Sequence, residues 1–171
     1  IPTLVRRTSS GLCQYHVTQA DAAMARPLAE ELIRIAGDDL RSAHFGHHFL
    51  ADCDLMDGDS ARALEAYRRS LGLAITMGDL LEIMWEVEGV GMASAGCGNS
   101  RLALRLHGAV AAQMERLGLD PSVPFWDALK DRYYSLARAD LGPEGGAAWE
   151  EGRRLSMAEA IQLAQAAPAE G

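Results

Sequence analysis

Histidine and acidic side chains cluster between residues 44 and 53. His44, His48 and Asp52 are four residues apart, so in a helix they share one face, with His47 and Cys53 close by. Two histidines one turn apart and a carboxylate are a ligand set that Zn²⁺ accepts. The segment lacks the glutamate of the HExxH motif. We therefore interpret it as a histidine-rich face of one helix, predict no metal or other cofactor, and keep a small helical metalloenzyme as an alternative.

A second group combines three acidic residues with one aromatic residue: Glu82, Trp85, Glu86 and Glu88. Carboxylates around an aromatic ring could bind a basic peptide or an amine. A solvated helical face with one packed tryptophan is the simpler interpretation. We expect part of both groups to face one concave side and predict four partner-binding residues there: His48, Asp52, Trp85 and Glu88.

Several other residues could belong to a catalytic site: Ser9, Ser10, Cys13 with His16, and Asp127 with Lys130. A nucleophile needs an oriented base, and none of these residues lies in a nucleophile-elbow context or has a third supporting group at a recognisable spacing. The sequence therefore predicts a protein that is not an enzyme.

The composition narrows the classes of protein further. The 171 residues carry a net charge of −8, which argues against direct contact with nucleic acid. Three widely spaced cysteines indicate neither a disulfide framework nor a zinc knuckle. No apolar run reaches the roughly 20 residues of a membrane helix, and no signal peptide is recognisable. We expect a cytoplasmic protein without membrane contact. Its Ala/Pro/Gly-rich end predicts a fragment of a longer chain.

The sequence repeats itself with a period of about 40 residues. A shift of 40 aligns Asp39-Leu40 with Asp79-Leu80 and Gly58 with Gly98. It also aligns small residues, which allow two helices to approach closely: Gly11, Ala51 and Gly91 in the first helix of each unit, and Ala23, Ala63 and Ala103 in the second. Glycine followed by Asp or Asn both ends one helix and caps the next.

These signals predict an all-α fold, a right-handed solenoid of antiparallel helix pairs with a C-terminal helical cap. Residues 1–118 would form three repeats, residues 119–166 the aromatic-rich cap, and residues 167–171 a tail or linker. We predict helices at 3–17, 20–36, 39–56, 60–77, 79–96, 99–117, 124–141, 144–152 and 156–166. Pro27 should kink or restart the second helix, and Gly152 should stop the eighth.

The pattern of a small residue, a Gly-Asp turn, and alanine five residues after the glycine resembles the tetratricopeptide repeat. The units are longer than usual and lack the Trp and Pro of the consensus. Four segments are similar to the end of the helical region in large bacterial ATP-binding regulators of the LuxR and AfsR types: Leu106-His107-Gly108-Ala109, Leu117-Gly118-Leu119, Tyr134 to Leu141, and Trp149 to Ile161. The resemblance covers about residues 39–166. That resemblance implies a sensor or scaffold arm beside an ATPase module. The phosphate-binding loop and the recognition helix of such regulators are absent here.

Together these observations predict a non-catalytic interaction or sensor domain of a bacterial transcriptional regulator. It would present a concave groove to a peptide, to a small effector, or to a partner domain such as the parent protein's own ATPase module. The alternative is a structural module of a multidomain ATPase or cyclase that associates with itself, for example as a homodimer.

Overall fold

The computed structural model describes residues 3–167, and this part of the chain is helical without a β-strand. Its helices are α1 (Thr3–Thr18), α2 (Ala22–Ala36), α3 (Leu40–Asp57), α4 (Ser60–Met77), α5 (Leu80–Gly96), α6 (Ser100–Leu117), α7 (Pro124–Leu141), α8 (Glu144–Arg153) and α9 (Met157–Gln165). The prediction of an all-α fold is confirmed, and each predicted helix has its counterpart. Of the predicted tail, only Ala167 lies within the described residues, and it is buried in the core.

Short capping turns separate the helices of the central part. An aspartate side chain accepts a hydrogen bond from a backbone N–H of the first turn in three consecutive helices: Asp39 in α3, Asp59 in α4 and Asp79 in α5. Left-handed glycines follow at the helix ends: Gly58, Gly78, Gly98 and Gly118. Glycine adopts this positive φ without the steric cost that a Cβ imposes. The turns therefore recur every 20 residues, half the period visible in the sequence.

Pro27 lies inside α2, which continues unbroken to Ala36, so the predicted restart is wrong. Proline removes one backbone hydrogen bond and crowds the preceding turn. The buried row of Ala25, Ala29 and Leu32 nevertheless holds this stretch of the helix against its neighbours. Tertiary packing therefore outweighs the local preference of proline.

The first repeat is displaced from the predicted alignment. Gly11 and Ala23 are exposed, and a Cβ added at Gly11 would meet no atom within 4 Å, so neither residue mediates a close helix contact. The buried residues of this pair of helices are instead Cys13 and Ala25, whose contact includes a hydrogen bond from the Cys13 thiol to the Ala25 carbonyl. Cys13 and Ala25 precede Ala51 and Ala63 by 38 residues. In the structure the first unit is therefore 38 residues from the second, whereas the sequence alignment predicts 40.

Helix α7 packs into the main core with its aromatic residues. Trp126, Tyr133 and Tyr134 are each at most 2% exposed. The Tyr133 hydroxyl donates to the Leu55 carbonyl of α3 at 2.7 Å, and the Tyr134 hydroxyl donates to the Glu88 carbonyl of α5 at 3.1 Å. The C-terminal helices thus reach back to the third and fifth helices of the chain.

Two glycines let α6 and α8 approach each other closely. A Cβ on Gly108 would overlap the Trp149 carbonyl, and one on Gly152 would overlap the Arg105 carbonyl. Gly152 is buried one residue before the last residue of α8, so the prediction that it stops the helix is wrong. Glycine is needed at this position because α6 and α8 are in close contact there.

None of the helices in the described part of the chain has both the length and the apolar character needed to span a bilayer.

Candidate functional site

A row of buried charged side chains joins α3 to α5. His44 Nε2 lies 3.2 Å from Glu82 Oε2, and His48 Nδ1 lies 2.7 Å from Glu86 Oε1. His48 Nε2 is also 3.5 Å from Asp52 Oδ2, one turn further along α3. The side chains of His44, Asp52 and Glu86 have no exposed surface, whereas those of His48 and Glu82 retain 14% and 19%. We call these five residues the charged row.

Helix α4 supplies neutral partners to both ends of the charged row. The Tyr67 hydroxyl donates to Asp52 Oδ1 at 2.6 Å. The Ser70 hydroxyl donates to the His44 backbone carbonyl at 3.0 Å and lies 2.8 Å from His44 Nδ1. Tyr67 and Ser70 are fully buried, so these contacts hold the α3 side chains in place inside the core.

The charged row shifts the acid–base properties of its members. Burial lowers the pKa of His48, but the charges of Asp52 and Glu86 outweigh it and raise that pKa to about 10. Burial raises the pKa of Asp52 to about 6, against the opposing effects of His48 and Tyr67. Burial, followed by the charge of Asp52, raises the pKa of Tyr67 well above its ordinary value. His48 is therefore cationic at neutral pH and balances part of the carboxylate charge.

Some polar atoms of this region are buried without a hydrogen-bond partner: Asp52 Oδ2, Glu86 Oε2 and Trp126 Nε1. The 3.5 Å between Asp52 Oδ2 and His48 Nε2 is an ion-pair distance and falls outside hydrogen-bond geometry. Buried polar groups are usually paired, because an unpaired one loses its hydration without compensation. The row is therefore held at a free-energy cost that the apolar packing around it must offset.

Trp126, the third residue of α7, covers the charged row and divides the space in front of it. Its ring stacks on His48 with centroids 5.6 Å apart and meets Trp85 edge to face at 5.4 Å. A cavity remains on each side of this tryptophan pair. Both tryptophans line both cavities.

The first cavity, which we call the aromatic cavity, has a volume of about 250 Å³ and lies among α1, α3, α5 and the start of α7. Five aromatic rings line it: Phe45, Phe49, Trp85, Phe125 and Trp126. His48 and Glu82 of the charged row also line it, and no lysine or arginine of the described residues does.

The second cavity, of about 230 Å³, lies between α5, α6 and α7 and contains charges of both signs. His107 Nδ1 is 2.7 Å from Glu88 Oε1, and the His107 ring stacks on Tyr134 with centroids 4.1 Å apart. Lys130 and Glu115 also line this cavity. Its main carboxylate, Glu88, is thus already paired.

The structure brings three of the four predicted partner-binding residues to the cavity walls. Trp85 lies between the two cavities, His48 lines the aromatic cavity and Glu88 lines the second one. Asp52 requires a correction, because it is fully buried, faces Tyr67 and lines neither cavity. A partner cannot touch it directly, and its link to the cavity wall is the ion pair with His48.

The histidine-rich segment divides between two sides of α3. His44, His48 and Asp52 lie together as the helical period requires, whereas His47 lies among residues of α4, near Arg69, where burial lowers its pKa. Cys53 belongs to a small apolar cluster with Cys13. Within residues 3–167, no group of three or more His, Cys, Asp and Glu side chains is arranged to hold a metal ion.

Sequence reasoning missed the pairing partners within the site. Each histidine of the row meets a glutamate 38 residues later, an offset that the 40-residue alignment obscures. Trp126 lies in the predicted aromatic-rich cap and Tyr67 in the predicted fourth helix, but no sequence signal relates either residue to the charged row. A search for histidine opposite glutamate at offsets near the repeat length would have found the two ion pairs.

Comparisons with protein-family models, with curated proteins and with solved structures find no match to this chain. Any functional interpretation of the site therefore depends on its geometry and electrostatics.

Proposed function

We propose that this chain is a non-catalytic interaction or sensor domain that binds its partner or effector at the cavities beside Trp85. The observation that carries the proposal is the position of Trp85 between two cavities, with the charged row behind one of them. Tryptophan in a partly enclosed site is a frequent energetic centre of binding. Concave, mostly apolar spaces with a few fixed polar groups are the usual form of a ligand site.

The scaffold of the proposal is a right-handed, tetratricopeptide-like solenoid of antiparallel helix pairs. Contacts between α3 and α4 support antiparallel pairing, because the later residue of α3, Asp52, meets the earlier residue of α4, Tyr67, while His44 meets Ser70. Contacts between α3 and α5 keep a constant offset of 38 residues, from Arg41–Asp79 to His48–Glu86. A constant offset indicates that equivalent helices of successive units run in the same direction.

The biological setting that we propose is a cytoplasmic transcriptional regulator of the LuxR or AfsR type, in which this arm would report to a separate ATPase module. The support for this setting is the similarity of residues 106–109 and 149–161 to such regulators. The charge of −8 agrees with an arm that leaves DNA binding to another module.

Self-association is the second candidate, and one observation favours it. Helix α1 exposes a stripe of large apolar side chains, with Leu4 74%, Leu12 46% and Tyr15 59% exposed. Apolar residues grouped on one helix face often mark a protein interface. A sedimentation coefficient that corresponds to the monomer at every concentration, and is unchanged by Leu12→Glu, would exclude this candidate.

Photo-crosslinking tests the proposed function for a partner of any chemistry. A photoreactive residue is placed at Thr18 on the rim of the aromatic cavity, at Ala111 on the rim of the second cavity, or at Glu65 on α4 as the control. We expect a defined partner to be captured from the two rim positions and not from Glu65. The captured partner should then bind the purified wild-type protein saturably. Its affinity for Trp85→Ala should be at least about tenfold lower.

Equal capture at all three positions, or unchanged affinity of Trp85→Ala, would contradict the proposal. Leu81→Ala is the matched control variant for the affinity measurement, because Leu81 is an exposed apolar residue of the same helix that lines neither cavity.

A further inference from the structure

We propose that the aromatic cavity binds an organic cation, an ammonium group attached to an apolar body. The inference rests on the proposed function, because it names the chemistry that the cavity beside Trp85 selects. A free amine and the side chain of a partner's lysine share this chemistry.

The walls of the cavity have the composition that favours such a group. Its five aromatic rings come from α3, α5 and α7, so that they surround the space from several sides. Trp85 and Trp126 stand edge to face at 5.4 Å, and Phe125 and Trp126 at 6.1 Å. Rings at different inclinations present both faces and edges, and the electron-rich face of an aromatic ring attracts a cation. The apolar body of the ligand would be buried against the same rings.

The charge behind the cavity has the matching sign. The row contains three carboxylates, Asp52, Glu82 and Glu86, against two histidines. Even with both histidines protonated, one negative charge remains uncompensated when the three carboxylates are ionised. Asp52 Oδ2 and Glu86 Oε2 have no hydrogen-bond partner and lie next to His48, which forms part of the wall. Because burial weakens solvent screening, this excess charge acts across the cavity more strongly than it would at the surface.

The second cavity provides the contrast within the same molecule. Carboxylates line it too, but Glu88 is paired with His107 and Glu115 with Arg153. Only Trp85 and Trp126 contribute phenyl or indole rings to this lining, against five such rings in the aromatic cavity. An ammonium group in the second cavity would therefore meet fewer ring faces.

The lining of the aromatic cavity, as far as the described residues form it, lacks lysine and arginine and retains Glu82 at its edge, 19% exposed. Its one cationic group, His48, is already paired with Asp52 and Glu86 behind the wall. The greater number of rings therefore favours the aromatic cavity for a cation.

The test compares three small probes that differ mainly in charge: 2-phenylethylammonium, 2-phenylethanol and phenylacetate. Calorimetric titration of the intact chain measures affinity, and the NMR signals of the Trp85 and Trp126 indole N–H groups locate the site. We expect the ammonium compound to bind about tenfold more tightly than the alcohol, because the cation–π and charge contributions are lost in the neutral probe. Phenylacetate should not compete with the ammonium compound for the cavity.

A fourth probe, Nα-acetyl-lysine methylamide, distinguishes the two sources of the ammonium group. Tighter binding of this probe than of 2-phenylethylammonium identifies a partner's lysine, and tighter binding of 2-phenylethylammonium identifies a free amine.

Two variants place the effect in the cavity. Glu82→Gln should reduce the affinity for 2-phenylethylammonium about fivefold or more and leave 2-phenylethanol unchanged, whereas Glu115→Gln, in the lining of the second cavity, should change neither. Thermal unfolding of each variant shows whether it remains folded. Phe125→Leu, a second and milder change in the cavity wall, should weaken both aromatic probes.

Equal binding of alcohol and ammonium, preference for phenylacetate, or an unchanged affinity of Glu82→Gln would overturn the inference. If the rim crosslinks still identify a saturable partner in that case, the proposed function stands and only the assigned ligand chemistry fails. If neither test shows binding, both proposals fail.

Discussion

At the centre of the charged row, His48 lies between two fully buried carboxylates, Asp52 one turn along its own helix and Glu86 on α5. Isolated buried carboxylates are costly because they lose their hydration, and a cation at ion-pair distance offsets part of that cost. The same pairing raises the pKa of His48 to about 10, so the histidine retains its charge well above neutral pH. His48 is therefore a counterion to its own scaffold as well as a part of the cavity wall.

Replacing His48 by glutamine should lower the free energy of unfolding by about 3–5 kcal/mol at pH 7, because removing one partner leaves the buried carboxylates uncompensated. Urea unfolding followed by circular dichroism measures this change. His47→Gln is the matched control, since His47 is the neighbouring residue of the same type and lies outside the row. The loss in His47→Gln should be far smaller.

The pH dependence of stability in the wild type and in His48→Gln tests whether the loss of stability is electrostatic. The folded pKa of His48 is raised above that of the unfolded chain, so the stabilisation is complete below about pH 6.5 and is lost as the pH rises through about 10. The difference in stability between wild type and His48→Gln should therefore shrink between about pH 7 and pH 10, by up to about 1.4 kcal/mol per pH unit. A difference that stays constant over this range would show that packing alone accounts for it.

The crossing of α6 and α8 makes an element-scale prediction. In Gly152→Ala the new methyl group would overlap the Arg105 carbonyl, so the two helices must separate. Overpacking of this kind costs about 1–3 kcal/mol. Gly146→Ala is the control in the same helix, because its Cβ would meet no atom within 4 Å. It should stabilise the protein by up to about 1 kcal/mol through helix propensity. Thermal unfolding compares the two variants, and effects of equal sign would contradict the assigned role of Gly152.

Helices and their ends could be predicted from sequence because the signals that set them are local. Asp39, Asp59 and Asp79 cap the helices that follow them, and Gly58 and Gly78 end α3 and α4 in the left-handed conformation. Pro27 and Gly152 misled the prediction for the opposite reason. At Pro27 the buried neighbours of the helix decide the outcome, and at Gly152 the close contact with α6 does. Neither is visible in the local sequence.

The candidate site was only partly predictable for a related reason. The common face of His44, His48 and Asp52 follows from helical periodicity alone. The pairing of His48 with Glu86 depends on the offset between α3 and α5, and the cover by Trp126 depends on where α7 docks. Both depend on tertiary packing, which the sequence does not reveal. The groove that we expected from the sequence is divided into two cavities by Trp126 and Trp85.

On the scale of the whole molecule, long-range hydrogen bonds link the C-terminal helices to the central ones. Tyr133 of α7 reaches the Leu55 carbonyl of α3, and the Arg68 guanidinium of α4 donates to the carbonyls of Gln165 and Ala167 near the end of α9. A linear repeat array contacts only its nearest neighbours and can unfold from its ends. These additional contacts should instead make the described helices unfold as one cooperative unit.

Tyr133→Phe tests this cooperativity, because it removes one hydroxyl and little else. The lost hydrogen bond should lower the free energy of unfolding by about 1 kcal/mol. Circular dichroism reports on the helices throughout the chain, whereas tryptophan fluorescence reports on α5, α7 and α8, where Trp85, Trp126 and Trp149 lie. If α7 is integral to the core, both signals shift by the same amount and their midpoints stay coincident. Tyr15→Phe, at an exposed position of α1, should leave both unchanged. A shift in fluorescence alone would mean that α7 detaches before the helices that it covers, and the cavities beside Trp126 would then open without global unfolding.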